Sequence, residues 1–221
     1  MIKINFPLLD QAIEIEGVKI FTIEDSFIFR KIVEQLLQYD ENSEIKLYDR
    51  EFNRLKEDEI FIISDLLSFD FNQPSVIKSV LNDILNRINE EPEVHSKLDF
   101  HINQIEDVLS FYTIEHDLNL SSPKLDLLSI LKTSGIKVSF EEDGLLDKLY
   151  DICQLFKYLV KKRLLIFVNI QAYLTQDELK MFFEFIQLNQ IDCLIIERFP
   201  IKGFQQYLLD EDYYLIEQNM V

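Results

Sequence analysis

The stretch LLIFVN (164–169) has no polar face until Asn169. A strand that alternates apolar and polar residues can leave one side in water. A strand apolar on both sides needs cover on both, which is the position of a central strand in a parallel sheet. IDCLIIE (191–197) is a second strand of the same kind. Between them, Thr175 followed by Glu178 forms a capping box, and Leu179, Phe182, Phe183 and Ile186 give the next helix one apolar face. Buried strand, amphipathic helix and buried strand in succession define an α/β protein.

The first third also reads as strands with one helix. IKINF (2–6), AIEIE (12–16) and VKIFTI (18–23) alternate, with Gly17 as a turn between the last two. Asp25 or Ser26 can cap a helix whose apolar residues are Phe29, Ile32, Val33 and Leu36. EIKLYD (44–49), EIFIIS (59–64) and DYYLIE (212–217) are further strands. The middle differs. Ile77, Leu81, Ile84 and Ile88 are spaced 4, 3, 4, and Leu98, Ile102, Ile105, Leu109 and Tyr112 continue in fours and threes. Leu145, Leu149, Ile152, Phe156 and Leu159 do the same. That spacing puts one narrow apolar seam along each helix. The second of these helices is expected from Pro92 to about Leu118, roughly 40 Å at 1.5 Å per residue. A shorter one is expected over 123–134, capped by Ser122 and stopped by Gly135. The expected organisation is a discontinuous α/β head, 1–70 and 150–221, enclosing a helical leg, 71–149.

No apolar run approaches the roughly 18 residues a membrane helix requires, and the N-terminus lacks the pattern of a signal peptide, so a cytoplasmic protein without membrane contact is expected. Cys153 and Cys193 have no CxxC spacing and read as reduced core residues. The net charge of −18 argues against a uniformly nucleic-acid-binding surface. Its distribution is uneven, however. From Lys124 to Arg163 there are 8 basic and 6 acidic residues, a net of +2, against 14 basic and 34 acidic elsewhere, a net of −20. Between Leu127 and Phe140 no acid occurs, while Lys132 and Lys137 do. Lys157, Lys161, Lys162 and Arg163 precede the LLIFVN strand, at a helix end where cations are also favoured on electrostatic grounds alone.

Several chemistries lack their residues. A strand like LLIFVN ending in Asp would look like the metal-holding strand of a phosphate-loop ATPase, but Asn169 stands there. Gly17, Gly135, Gly144 and Gly203 are isolated, and no GxxxxGK[ST] loop exists to cradle phosphates. His95, His101 and His116 lack zinc spacing. Asp40 with Glu44 and Lys46 has the acid…ExK order of a metal-dependent nuclease, although Glu44 and Lys46 on one strand face also suit an ion pair. Glu115, Asp117, Asn119 and Asp126, in IEHDLNLSSPKLD (114–126), offer oxygen ligands of the kind calcium accepts, without EF-hand spacing; a solvated acidic face has the same composition.

In their order, INFPLLD (4–10), QYD (38–40), NEEPEV (89–94), LKTSGIKV (131–138), LLIFVN with AYLTQDEL (172–179), and QYLLDEDYYLI…NMV at the C-terminus resemble one family almost end to end. It is the short form of the CRISPR-associated adaptation protein of subtype II-A systems. The resemblance implies a homotetrameric ring whose subunits pair a head resembling a truncated P-loop ATPase, without a nucleotide site, with a helical leg. It implies binding of linear double-stranded DNA by its free ends in a basic central hole, calcium for the stable ring, and no enzymatic activity of its own. It further implies partnership with the CRISPR integrase proteins and the single-effector nuclease during spacer acquisition; an interaction scaffold is the other reading. Carried over by motif, Lys132 and Lys137 face the DNA, with Lys56 and the Lys161–Lys162 pair in matching stretches. Glu115 matches an acid of the calcium-rich leg, whereas Asn119, Ser121, Lys124 and Ser129 stand where acids are usual. Fewer carboxylates weaken a calcium site.

Overall fold

The computed structural model describes residues 1–121, 124–139, 144–159 and 161–218. The chain divides into two compact units, one of Met1–Phe69 with Phe140–Val221 and the other of Asp70–Ser139. In the first unit the order is β1 (Ile2–Asn5), β2 (Ile13–Ile15), β3 (Val18–Ile23), α1 (Ser26–Leu37), β4 (Lys46–Asp49) and β5 (Ile60–Ile63). The second unit carries α2 (Pro74–Glu90), α3 (Pro92–Ile114) and α4 (Leu127–Thr133). The chain then completes the first unit with α5 (Leu145–Tyr158), β6 (Leu164–Val168), α6 (Gln176–Leu188), β7 (Cys193–Glu197), β8 (Gln206–Leu209) and β9 (Leu215–Gln218). α5 thus lies wholly in the α/β unit.

A six-stranded sheet runs β5-β6-β7-β3-β8-β9, parallel throughout except for β9, which returns antiparallel to β8. β6 and β7 occupy interior positions, and all five residues of each are buried. Residues level across the sheet share a face, so Phe61, Leu165, Phe167, Cys193 and Ile195 point one way. That face meets α5 through the stacked rings of Phe61 and Phe156, and α6 through the edge-on pair Phe167 and Phe182. The opposite face, with Phe21, Ile166, Leu194 and Ile196, shares one core with Ile28, Ile32 and Leu36 of α1 and with Ile2, Ile4, Ile13, Ile15 and Leu47. The latter belong to a three-stranded antiparallel sheet, β2-β1-β4. The demand of the two apolar strands for cover on both sides is met by different layers.

Gly17, at φ +64°, does not close a hairpin: β2 and β3 lie in different sheets, and the turn carries the chain from one to the other. The left-handed backbone there suits glycine. Asp25 caps α1 by accepting from Ile28 N (2.8 Å), and Thr175 with Glu178 forms the expected reciprocal cap of α6. β8 lacks a strand signal in the sequence, because it is short and begins at Gln206; that side chain is buried and accepts from Thr22 Oγ1 (2.9 Å).

In the second unit, Val76, Leu81 and Ile102 are the buried positions of the helices. α3 ends at Ile114, earlier than its apolar period suggests. Beyond it, Leu118 N is held by His116 Nδ1 (3.0 Å), a local bond that competes with helix continuation. Asp126 caps α4 by accepting from Ser129 N (2.7 Å), so the helix starts later than expected; Ser122 and Pro123 lie outside the described residues. At the ends of this unit, Asn72 and Val138 are joined twice. Asn72 Nδ2 donates to Val138 O (3.0 Å), and Val138 N donates to Asn72 Oδ1 (2.8 Å).

Where β7 ends, Glu197 is 1% exposed and its carboxylate accepts from Gln171 N (2.9 Å) on the turn after β6. That turn begins with Asn169 in the left-handed region, at φ +58°. Burial pushes the Glu197 carboxyl up to about 7, against the backbone amides of Gln171 and Ile170, which pull it down. A folded pKa above the unfolded 4.5 means that the protonated form is the one the fold favours. The contribution of Glu197 to stability is therefore greatest below about 4.5 and falls as pH rises towards 7. Glu197→Gln, which stays neutral, should gain on the wild type over that interval by at most roughly 3 kcal/mol, measured as urea midpoints from pH 4.5 to 8. A pH-independent difference would contradict the assignment.

Candidate nucleic-acid interface

Each basic residue singled out in the sequence has a definite local setting, and the settings fall into two kinds. Lys161, Lys162 and Arg163 follow α5 and lead into β6. Lys161 Nζ pairs with Asp58 at 3.3 Å. Lys162 Nζ donates to Ile60 O (2.5 Å) and lies near Glu57 O (3.5 Å); burial draws its pKa down against the pull of Asp58 and Glu57. Arg163 bridges Glu59 (3.1 Å) and Asp49 (3.4 Å), and its backbone N donates to Glu59 O (2.7 Å). Lys157 donates to Asn189 Oδ1 (2.7 Å). The cluster ties the start of β6 to the segment entering β5.

Lys132 and Lys137 belong to the other kind. Lys132 lies in the last turn of α4, and Lys137 two residues beyond Gly135, whose φ of +72° ends that helix. Both are exposed, and no described carboxylate lies within ion-pairing distance of either ammonium. Lys137 sits between two anchors: the end of α4, where Ser134 N donates to Ile130 O (2.9 Å), and Val138, held by Asn72. Lys56 is exposed at a cleft of about 560 Å³. Four acids, Asp40, Glu41, Glu57 and Asp58, line that cleft with Arg54. Arg54 is committed to the carbonyls of Asp40 (3.0 Å), Glu41 (2.5 Å), Ser43 (3.1 Å) and Ile45 (3.2 Å), so the cleft offers phosphate little positive charge.

The oxygen ligands considered for calcium lie at the end of α3 and at the cap of α4. Glu115, Asp117 and Asn119 are exposed at and beyond the end of α3. Asp126 is occupied as a cap by Ser129 N and Oγ, and these bonds, with the Lys132 charge nearby, hold its carboxyl below the usual range. Among the described residues no three His, Cys, Asp or Glu side chains come together as a metal site.

The nuclease arrangement is likewise dispersed into local roles. Asp40 accepts from Asn42 N (2.8 Å) and Ser43 Oγ (3.1 Å), while Glu44 pairs with Lys31 (2.6 Å) and accepts from Gln35 Nε2 (3.0 Å). Only Glu24 and Asp25 separate β3 from α1, too short a connection for a loop that wraps phosphates. No described helix is long and apolar enough to cross a membrane.

A mixed α/β protein with an inserted helical unit that carries Lys132 and Lys137 is a CRISPR-associated protein by sequence: residues 38–213 match the family described as CRISPR-associated protein (Cas_Csn2). The chain belongs to the Csn2 family. It is 37% identical to the CRISPR-associated protein Csn2 of Streptococcus agalactiae across the whole of both chains. Against the protein of that name from Enterococcus faecalis it is 35% identical, over 96% of this chain and 97% of the other. The crystal structure of Stu0660 of Streptococcus thermophilus shares the fold, with a TM-score of 0.62 at 14% identity over 99% of this chain and 76% of that one.

Sequence reasoning missed the acid partners of the basic cluster and the role of Asn72. No local pattern marks either, since Arg163 lies 114 residues from Asp49 and Asn72 lies 66 from Val138. Asp49 shows the balance of effects. Partial burial would raise its carboxyl, but the amides of Asn53 and Glu51, the Asn53 side chain and Arg163 together hold it below the ordinary range. A lowered folded pKa contributes stability above the unfolded value that is lost as pH falls through the folded one. Arg163→Ala should therefore lower the melting temperature at pH 7, and the deficit should shrink below about pH 4 as Asp49 protonates. An equal deficit at pH 7 and pH 3 would assign the effect to packing alone.

Proposed function

We propose that this Csn2 protein is a non-catalytic, ring-forming binder of free double-stranded DNA ends that acts during spacer acquisition. One observation carries the reading. In a chain of net charge −18, Lys132 and Lys137 are exposed, sit on a stretch without acids and have no described carboxylate within ion-pairing distance. Lysines left unpaired in so acidic a protein suit phosphates, which set affinity without reading bases. Repetition of the pair in several subunits turns a weak patch into a continuous basic lining. The acidic remainder repels duplex from the outside.

Self-association has its own support. The seam of α3 in fours and threes is the pattern of a helix that packs on another helix, yet Ile105 is 51% and Tyr112 68% exposed. A second copy of the chain would cover it, and a homotetramer closes the ring. The head is read as a truncated relative of P-loop ATPases that has lost its phosphate loop. Lys56, Lys161 and Lys162 are secondary DNA contacts in this scheme, with the last two least available because of their existing bonds. Calcium stabilises the ring in this scheme, with Glu115, Asp117, Asn119 and Asp126 as its ligands. The integrase proteins and the single-effector nuclease are the partners this role requires, and the cytoplasm is its place.

Linear duplex should shift in a native gel and a closed circle of equal length should not; equal binding of both would reject end entry. Lys132→Ala with Lys137→Ala should reduce affinity at least tenfold and flatten the salt dependence, with the oligomer unchanged in mass. A chelator should lower the oligomer mass by light scattering if calcium bridges subunits; unchanged mass and DNA binding would remove calcium from the scheme.

A further inference from the structure

Lys137 lies in a segment, 136–139, without regular secondary structure, in which backbone placement depends on few bonds. On one side the end of α4 and Gly135 fix it. On the other, Val138 is the residue that Asn72 grips through both its amide and its carbonyl. Asn72 is itself oriented, because Asp70 Oδ1 accepts from Asn72 N (2.8 Å). The clasp joins the third residue of the inserted unit to its penultimate one, Asp70 and Ser139 being the unit's limits. A planar amide that both donates and accepts holds the N–H and the C=O of one residue as a neighbouring strand would, and so fixes the backbone that carries the side chain before it.

We propose that Asn72 is a positioning residue for phosphate binding: by clasping Val138 it presents the Lys137 ammonium to the DNA, while touching no DNA itself. This rests on the DNA-end reading given above. A lysine on a free segment must surrender backbone freedom when it meets a phosphate, whereas one already held surrenders only its side-chain freedom. The clasp therefore acts through Lys137 and through nothing else in the interface. No side chain other than asparagine or glutamine offers a neutral donor and acceptor on one amide, and glutamine's extra methylene would displace the pair.

The test is a double-mutant cycle on the full chain with linear duplex of defined length as probe. Asn72→Ala should weaken binding three- to tenfold in the wild-type background and leave it unchanged in a Lys137→Ala background. Amide exchange at Val138 in the free protein should rise in the same variant. Asp70→Ala, a milder change that frees Asn72 N, should give a smaller loss that also disappears without Lys137, and it replaces Asn72→Ala should that variant not fold. Equal affinity of wild type and both variants, or losses that add to that of Lys137→Ala, would overturn the positioning role and leave the DNA reading standing. A wild-type protein that binds no duplex would remove the DNA reading, and the positioning role with it.

Discussion

Strands β6 and β7 present no side chain to water, and the α/β unit is organised by that fact. Each must have apolar cover above and below, so the chain supplies α5 and α6 on one face and α1 with a small antiparallel sheet on the other. Burying such strands is favourable at about 25 cal/mol per Å² of apolar surface, but it also buries whatever polar group the strand carries at its end. Glu197 is that group here. It is kept by backbone amides of the adjacent turn and sits at a raised pKa because those amides do not fully replace water.

The same economy governs the cations. In an acidic chain, lysines and arginines near carboxylates become structural, as Arg163 and Lys161 show beside β6. Lys162 is drawn further in, to a backbone carbonyl. The basic cluster before LLIFVN is thereby a joint between segments distant in sequence. Lys132 and Lys137 escape this because their own stretch contains no acid, and the described fold brings none within pairing distance. A proposed phosphate surface thus follows from where pairing fails, more than from where positive charge is densest.

Much of this was legible locally. The capping signals at Asp25 and Thr175, the presence of helices α2 and α3 and the two apolar strands depend on neighbours a few residues away, and the structure has each of them. Reading failed where the decisive partner was remote or where two local signals competed. Asp126 took the cap of α4 that Ser122 was expected to supply. Gly17 signalled a turn correctly, but a turn does not say whether the next strand joins the same sheet. β8 has a polar first residue whose burial depends on Thr22, and no periodicity within four residues reveals that.

By itself the sequence determined the class of fold, the existence of a helical insertion and membership of the Csn2 family, because hydrophobic period and motif order are properties of neighbouring residues. Only the tertiary structure decided which lysines are spent on acids and carbonyls and which remain available. It also decided that Asn72 holds Val138. Those outcomes rest on hydrogen bonds and ion pairs, which act over a few ångströms between groups as far apart in the chain as Asp49 and Arg163.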